Sequence, residues 1–477
     1  MTVRSEIPPH TLRAAVAHGR MNRRAWLVTG ALVVFQIINF ADKAVLGLVA
    51  DSAMRDLGLT AGQFGFIGSA FFFLFAISAV LVGFLAGRVP TRWIIVSMGV
   101  CWAVLQFPML LGGGAAVLLV ARILLGAAEG PATPITLQNV HGWFPAKERG
   151  LPSSLIAIGS TLGPIIAAPI LMWIIVNPAL GWRWAFGFLG LAGLAWTLCW
   201  LLVGREGPYS HHSQSKGLAE AAPGADQAPL KPAGASITDR ADLLQVVPIR
   251  RVLGSGMFVA AVLAGAGCFW AQGFLTTWSP KYLSSVVSLG PEMIGVVSTL
   301  PWAVGALTLM VLGYSSRFLM CRGVTVRWAL GALFGAALLL SGASFLVLPH
   351  THGFIAVSLL TVAAGLALVF PLAPTAVAFC VGSRQRAAVM ATLTGLASLG
   401  GVIAPAMVGM LMDNTGYRPS AKGVPESAHM ITLLTHGMNT SFTMIGVYLV
   451  VVGIGCILLL NPDSTATRLQ QRFACNG

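Results

Sequence analysis

Charge is scarce in this chain, and acidic charge scarcest: there are 15 Asp and Glu against 29 Lys and Arg among 477 residues, with 9% charged residues overall. Soluble domains carry about 25% charged residues, so an ordinary water-exposed globule is excluded. Cysteine and histidine are few, at seven and nine, and neither falls in the paired spacing of a metal site. Cys101, Cys199, Cys268, Cys380 and Cys456 read as small core residues, and Cys321 and Cys475 as cytoplasmic ones. No nucleophile elbow or phosphate-cradling loop occurs. An enzyme therefore finds no support, and no metal or cofactor is expected. The opening text MTVRSEIPPHTLRAAVAHGRMNRR has scattered charges and no short apolar core with a small-residue cleavage site, so it does not read as a signal peptide.

What is present is apolar. Hydrophobic residues make up 56% of the chain, and they gather in stretches long enough to cross about 30 Å of hydrocarbon at about 20 residues per helix. Twelve are expected, near 26–50, 62–87, 93–113, 115–141, 148–176, 183–203, 252–280, 293–317, 324–347, 353–380, 386–412 and 437–460. The expected fold class is all-α and integral to a membrane. Basic residues collect in alternate connections: Arg88 and Arg92, Lys147 and Arg149, Arg205 to Arg251, Arg317, Arg322 and Arg327, then Arg384 and Arg386. The opposite connections hold only a few, among them Arg55, Lys281 and Arg418. This positive-inside pattern accounts for the net charge of +14 without a nucleic-acid partner. It places both termini in the cytoplasm, with the helices in the cell inner membrane.

From Gly204 the text GREGPYSHHSQSKGLAEAAPGADQAPLKPAGASITDR is rich in Gly, Pro, Ala, Ser and charge and has no apolar period, the mark of a flexible connection. Five segments follow: a cytoplasmic tail at 1–25, a six-helix bundle at 26–203, a cytoplasmic linker at 204–250, a second six-helix bundle at 251–460 and a cytoplasmic tail at 461–477. His211 and His212, inside the linker, read as a solvated pair. The halves carry a weak repeat, in which GFLAGRVPTRW after the second helix is echoed by GYSSRFLMCRG after the eighth. Repeated halves that hold substrate between them near the midplane are the architecture of secondary transporters.

Five pieces of text occur in order on these helices: NFADK in the first, RILLGAAEGPATP in the fourth, WFPAKERG after it, FLTTWSPKYL in the seventh and TGLASLGGVIAPAMVG in the eleventh. They resemble Asn-Tyr-x-Asp-Arg, Arg-x-x-x-Gly-x-x-Glu followed by Pro, Trp-Phe-Pro-x-x-Glu-Arg-Gly, Leu-x-x-Trp-x-Pro-x-Tyr-Leu and the Gly-rich turn before Ala-Pro of the anion:cation symporter family. That family lies within the major facilitator superfamily. It includes bacterial galactonate and hexuronate carriers and is related to vesicular glutamate and sialic-acid carriers. The resemblance covers nearly all the membrane portion and implies a major facilitator fold of two six-helix bundles, with a small organic anion and protons as partners in a lipid bilayer. A monomer is expected. The chain departs from the superfamily at Gly87 and Pro90, where Asp and Gly are usual, and at Ser316, where Asp is common. In the family those acids latch the cytoplasmic side of the outward-open state, so their loss implies a weakened latch or another contact. Phe40 and Lys43 stand where the family has Tyr and Arg; the lost hydroxyl leaves a less hydroxylated or aromatic acid open as substrate.

Of the 15 acids, only Asp42 and Glu129 lie well inside the expected spans, and the buried fixed cations are Lys43 and Arg122. A charge at the bilayer centre costs about 2.5–3.5 kcal/mol on insertion scales and marks a cavity or a partner. Proton coupling needs a protonatable group at that depth, so Asp42 and Glu129 are the coupling candidates. At about 1.5 Å per residue, Asp42 and Arg122 lie level and are expected to pair, with Glu129 further along the Arg122 face near the midplane. Lys43 points about 100° away from Asp42, toward the cavity from the side. A planar guanidinium suits bidentate carboxylate binding. The candidate substrate-binding set is therefore Arg122, Lys43, Asn39 one turn before it, Gln272, Thr394 and Ser398. Each has a structural alternative: Asp42 with Arg122 as a brace between helices, Glu129 as a neutral hydrogen-bonded acid, Lys43 snorkelling outward, and the polar residues as packing contacts. The expected function is proton-coupled import, by alternating access, of a sugar acid, a hydroxy- or dicarboxylate, or an aromatic acid. Proton antiport exporting amphiphilic compounds is the alternative.

Overall fold

The computed structural model describes residues 9–85, 88–145, 148–210, 248–381, 383–421 and 423–474. Gly87, Cys475, His211, His212 and most of the expected linker lie outside them. Among the described residues twelve helices are long and apolar enough to cross a membrane: α1 (Arg23–Leu48), α2 (Ala61–Val82), α3 (Thr91–Leu110), α4 (Ala115–His141), α5 (Gly150–Val176), α6 (Arg183–Val203), α7 (Gly256–Thr277), α8 (Pro291–Cys321), α9 (Arg327–His350), α10 (Gly353–Ala378), α11 (Ala388–Asn414) and α12 (Ala428–Leu459). In the first six, α1 packs on α5, α2 on α4 and α3 on α6; in the second, α9 packs on α12, α8 on α10 and α7 on α12. The two sets meet along α2 with α11, α5 with α8 and α1 with α7.

Several expected boundaries move, each for a local reason. The seventh stretch, expected at 252–280, breaks at Trp278 and restarts as Ser279–Ser285 with Pro280 in its first turn, where proline's missing N–H costs nothing. The fourth is two helices, Ala115–Glu129 and Ala132–His141, parted beside Pro131. The twelfth, expected from 437, begins at Ala428 because the Ser427 hydroxyl accepts from the Met430 amide and caps it. Hydropathy alone leaves those mildly polar turns outside the span.

We term the face where α1 ends and α2 begins distal, and the opposite face proximal. A Cβ placed at Gly65 would lie 2.2 Å from the carbonyl oxygen of Pro405, and one at Gly409 would lie 2.2 Å from that of Ala61. Both crossings fall in the distal halves of α2 and α11, and only a residue without Cβ permits backbones so close. The Ala406 amide adds a hydrogen bond to the Ser69 hydroxyl at 2.9 Å. The two bundles are shut against each other on the distal side. Within the first bundle Gly126 has the same role, since its Cβ would meet the Phe71 carbonyl oxygen at 1.8 Å.

These two kinds of close approach predict different failures. Gly126→Val overpacks a contact internal to one bundle and should lower stability in detergent by about 1–3 kcal/mol or more. Gly65→Val wedges the bundles apart, so in a background lacking native cysteines a Ser69→Cys reporter should label faster while the melting temperature changes less than in Gly126→Val. Unchanged labelling would show that the distal contact accommodates the added side chain without separating.

Candidate functional site

The centre of the first bundle holds one buried ion pair. Lys43 Nζ lies 2.6 Å from Glu129 Oε2, with side chains 7% and 0% exposed, and donates also to Asn39 Oδ1 at 2.7 Å. The α4–α2 approach at Gly126 and the helix break just past Glu129 set this contact. Around the ammonium stand aromatic rings, with centroids at 4.3 Å for Phe40, 5.8 Å for Phe71 and 6.0 Å for Phe75. Glu129 Oε1 has no partner among the described residues. Such a pair is held in place by its low-dielectric surroundings, and removing either member leaves an uncompensated buried charge.

Arg122 is buried one face-length away on the same helix. Its Nη1 donates to the backbone carbonyl of Asp42 at 3.4 Å, and its CZ sits 5.8 Å from the Phe186 ring centroid. Nε and Nη2, which share one edge of the guanidinium, have no partner among the described residues. That edge is the side-on fork that matches the two oxygens of a carboxylate. The Asp42 carboxylate instead accepts from the Gln106 amide of α3.

A second charged cluster closes the distal face. Lys281, fully buried, binds Asp51 at 2.5 Å and Glu426 at 2.7 Å. Arg55 reaches Asp51 at 3.1 Å. The Tyr417 hydroxyl donates to Glu426 at 2.6 Å; burial, then the adjacent Glu426 charge, pushes its phenol well above the usual range, so it stays protonated and a donor. Nearby, Asp413 at the end of α11 accepts from the Thr60 hydroxyl at 2.7 Å and the Gly62 amide at 3.0 Å. A carboxylate from the second bundle thus caps a helix start of the first, where the helix dipole favours negative charge.

The structure brings Asn39, Asp42, Lys43, Arg122 and Glu129 together, but in a different pairing from the one expected. Arg122 hydrogen-bonds the backbone carbonyl of Asp42, and no salt bridge joins their side chains, although the two charges lie close enough to interact. On α1, Asp42 accepts from Gln106 of α3 and stands beside Glu129 of α4, while Lys43 pairs with Glu129 directly. From the second bundle, Gln272 stands half-buried on α7, the Thr394 hydroxyl donates to its own helix at the Met390 carbonyl (3.0 Å) and Ser398 to the Gly395 carbonyl (2.8 Å). None of these three is hydrogen-bonded to the charged set. Ser316 is buried and its hydroxyl donates to the Gly313 carbonyl of its own helix at 2.9 Å. Sequence reasoning missed Gln106, and also Gln36, whose amide donates to Thr133 at 2.9 Å and Ser160 at 3.4 Å; polar text inside apolar helices was the available signal. It also missed the Lys281 cluster, whose members are far apart in sequence. Among the described residues no group of His, Cys, Asp or Glu is arranged to hold a metal.

Residues 32–405 match the sequence model of the Major Facilitator Superfamily. A hexuronate transporter of Bacillus subtilis is 27% identical over 389 residues, covering 80% of this chain and 86% of that protein. A probable sulfoacetate transporter of Cupriavidus necator is 25% identical over 408 residues, covering 82% and 88%. Among solved structures, a bacterial homolog to the human lysosomal transporter Spinster, inward-facing and unoccupied, matches with TM-score 0.72 over 93% of this chain and 98% of that one at 18% identity, a likeness of fold alone.

The buried pair makes a stability prediction independent of transport. Lys43→Met strands Glu129 and should cost about 3–5 kcal/mol, whereas Lys43→Met with Glu129→Leu removes both charges and should recover most of it. Denaturant titration in detergent measures both. Additive losses would mean that the two side chains do not interact.

Proposed function

The chain belongs to the major facilitator superfamily and is a multi-pass membrane transporter, not an enzyme; from that premise we propose that it imports an organic carboxylate together with protons by alternating access. The observation that carries this reading is the Lys43–Glu129 pair beside the unclaimed edge of Arg122. With Asp42 and Glu129 ionised, the four buried charges cancel and an anion meets no net attraction. Protonation of Glu129 releases the Lys43 ammonium, and protonation of both acids leaves two positive charges facing the substrate. At about 7 Å and an effective dielectric near 20, one unit charge acts on another by about 2.4 kcal/mol. Proton and anion then strengthen each other's binding by the same factor, because the coupling is reciprocal.

Alternation needs one side shut while the other opens. The distal glycine crossings, the Asp413 cap and the Lys281 cluster support a conformation closed on that side. The positive-inside pattern supports placing the distal face outside an inner membrane and both termini in the cytoplasm. In this scheme the protein works as a monomer: Asp42 and Glu129 carry protons, Arg122 and Lys43 bind the carboxylate, and Asn39, Gln272, Thr394 and Ser398 supply polar contacts to the remainder. The hexuronate and sulfoacetate for which the two relatives are named support an anionic cargo.

Reconstituted vesicles with an acidic exterior, offered labelled glucuronate, sulfoacetate and phenylacetate, test the reading. At least one carboxylate should accumulate against its gradient, and a protonophore should abolish the accumulation. Glu129→Gln should keep exchange of labelled for unlabelled substrate but lose accumulation. Arg122→Gln should lose binding while remaining folded. Accumulation that ignores the proton gradient would remove the coupling, and movement opposite to the proton flow would favour the antiporter.

A further inference from the structure

The surroundings of the Lys43 ammonium bear on which carboxylate is carried, an inference that rests on the anion-site reading above. We propose that the substrate is an aromatic monocarboxylate, its ring held in a phenylalanine layer between the bundles and its carboxylate on the Lys43 and Arg122 side. From the first bundle this layer has Phe40, 4.3 Å from Lys43 Nζ, with Phe71 and Phe75 at 5.8 and 6.0 Å. From the second it has Phe269, with ring centroids 6.3 Å from Phe72 and 6.5 Å from Phe75, and Phe370 at 5.0 Å from Phe269. Trp302 completes it edge-on to Phe40 at 6.2 Å. The bundles therefore meet through rings at the level of the charged pair.

The polar inventory points the same way. The hydroxyl donors of Thr276, Thr394 and Ser398 are each spent on a carbonyl of their own helix, at 2.9, 3.0 and 2.8 Å. The Gln36 amide donates to Thr133 and Ser160 inside the first bundle. On the second-bundle side the Gln272 amide stands half-buried, and the Trp270 indole N–H and the Ser279 and Ser298 hydroxyls have no partner among the described residues; in the first bundle the same holds for Asn39 Nδ2, Gln36 Oε1 and Gln106 Oε1. A sugar acid presents a hydroxyl on nearly every carbon. Hydroxyls turned toward the phenylalanine layer would meet no partner there, and an unpaired buried polar group is strongly rejected. An aromatic ring instead gains edge and face contacts with the layer and needs no hydroxyl partner. One fixed carboxylate suits a site whose cations are otherwise balanced by two acids.

The test compares phenylacetate, glucuronate and acetate as ligands of the purified protein at pH 6, by calorimetry or ligand-induced thermal shift. Phenylacetate should bind at least tenfold more tightly than either of the others. Phe40→Ala should weaken phenylacetate about tenfold and leave acetate nearly unchanged, and Phe40→Tyr should retain phenylacetate. Arg122→Gln should abolish binding of all three. Glucuronate binding as tightly as phenylacetate, still lost in Arg122→Gln, overturns the aromatic class and leaves the anion site standing. Phenylacetate binding that survives Arg122→Gln and Lys43→Gln overturns the anion site itself, and no binding of any carboxylate overturns both.

Discussion

The structure turns on a lysine and a glutamate that satisfy each other where water cannot. Lys43 and Glu129 lie 2.6 Å apart with almost no exposure, on two helices whose neighbouring text is apolar. Separating them in that medium strands two charges, whereas protonating Glu129 leaves only one, the Lys43 ammonium, uncompensated until an anion pairs with it. The proton is thus the inexpensive way to open the pair. Everything proposed for transport follows from that asymmetry: a cation unavailable to an anion while Glu129 is ionised, and available once it is not.

Local features hold the pair in register. Gly126 lets α4 press on the backbone of α2 at Phe71, and the break beside Pro131 follows Glu129 immediately. Asn39 Oδ1 accepts a second hydrogen bond from the Lys43 ammonium. On the distal side the bundles are joined by backbone contacts at glycine, by the pair of buried Lys281 with the partly exposed Asp51, and by the Asp413 cap. These contacts involve both bundles, so rocking one bundle against the other must break them. Opening the distal face therefore costs the Lys281–Asp51 pair and the Asp413 cap on Thr60 and Gly62, and in the proposed cycle binding at the centre has to offset that cost.

Much of this was legible in the sequence. Twelve apolar stretches announce the helices because the bilayer fixes their length, and two acids and two cations in those stretches mark a candidate site because charge there is expensive. The pairing was not legible. Depth arithmetic places Asp42 and Arg122 level with each other, but it ignores azimuth, and the Gln106 amide on α3 claims the Asp42 carboxylate. Nor does helical text reveal that Ser398 and Thr394 turn their hydroxyls onto their own backbone, a choice made by local geometry. The distal cluster escaped for a different reason: Asp51, Lys281, Tyr417 and Glu426 each read as ordinary loop or helix-end residues until the fold brings them together.

The central claim is that anion binding and protonation are one event. The direct measurement is the proton flux when purified protein in weakly buffered detergent near neutral pH is mixed with saturating carboxylate, followed with a pH dye and corrected for the ligand's own ionisation. The account predicts net proton uptake by the wild type and none by the Asp42→Asn, Glu129→Gln double variant. Proton release on binding, or binding with no proton change in the wild type, would contradict it.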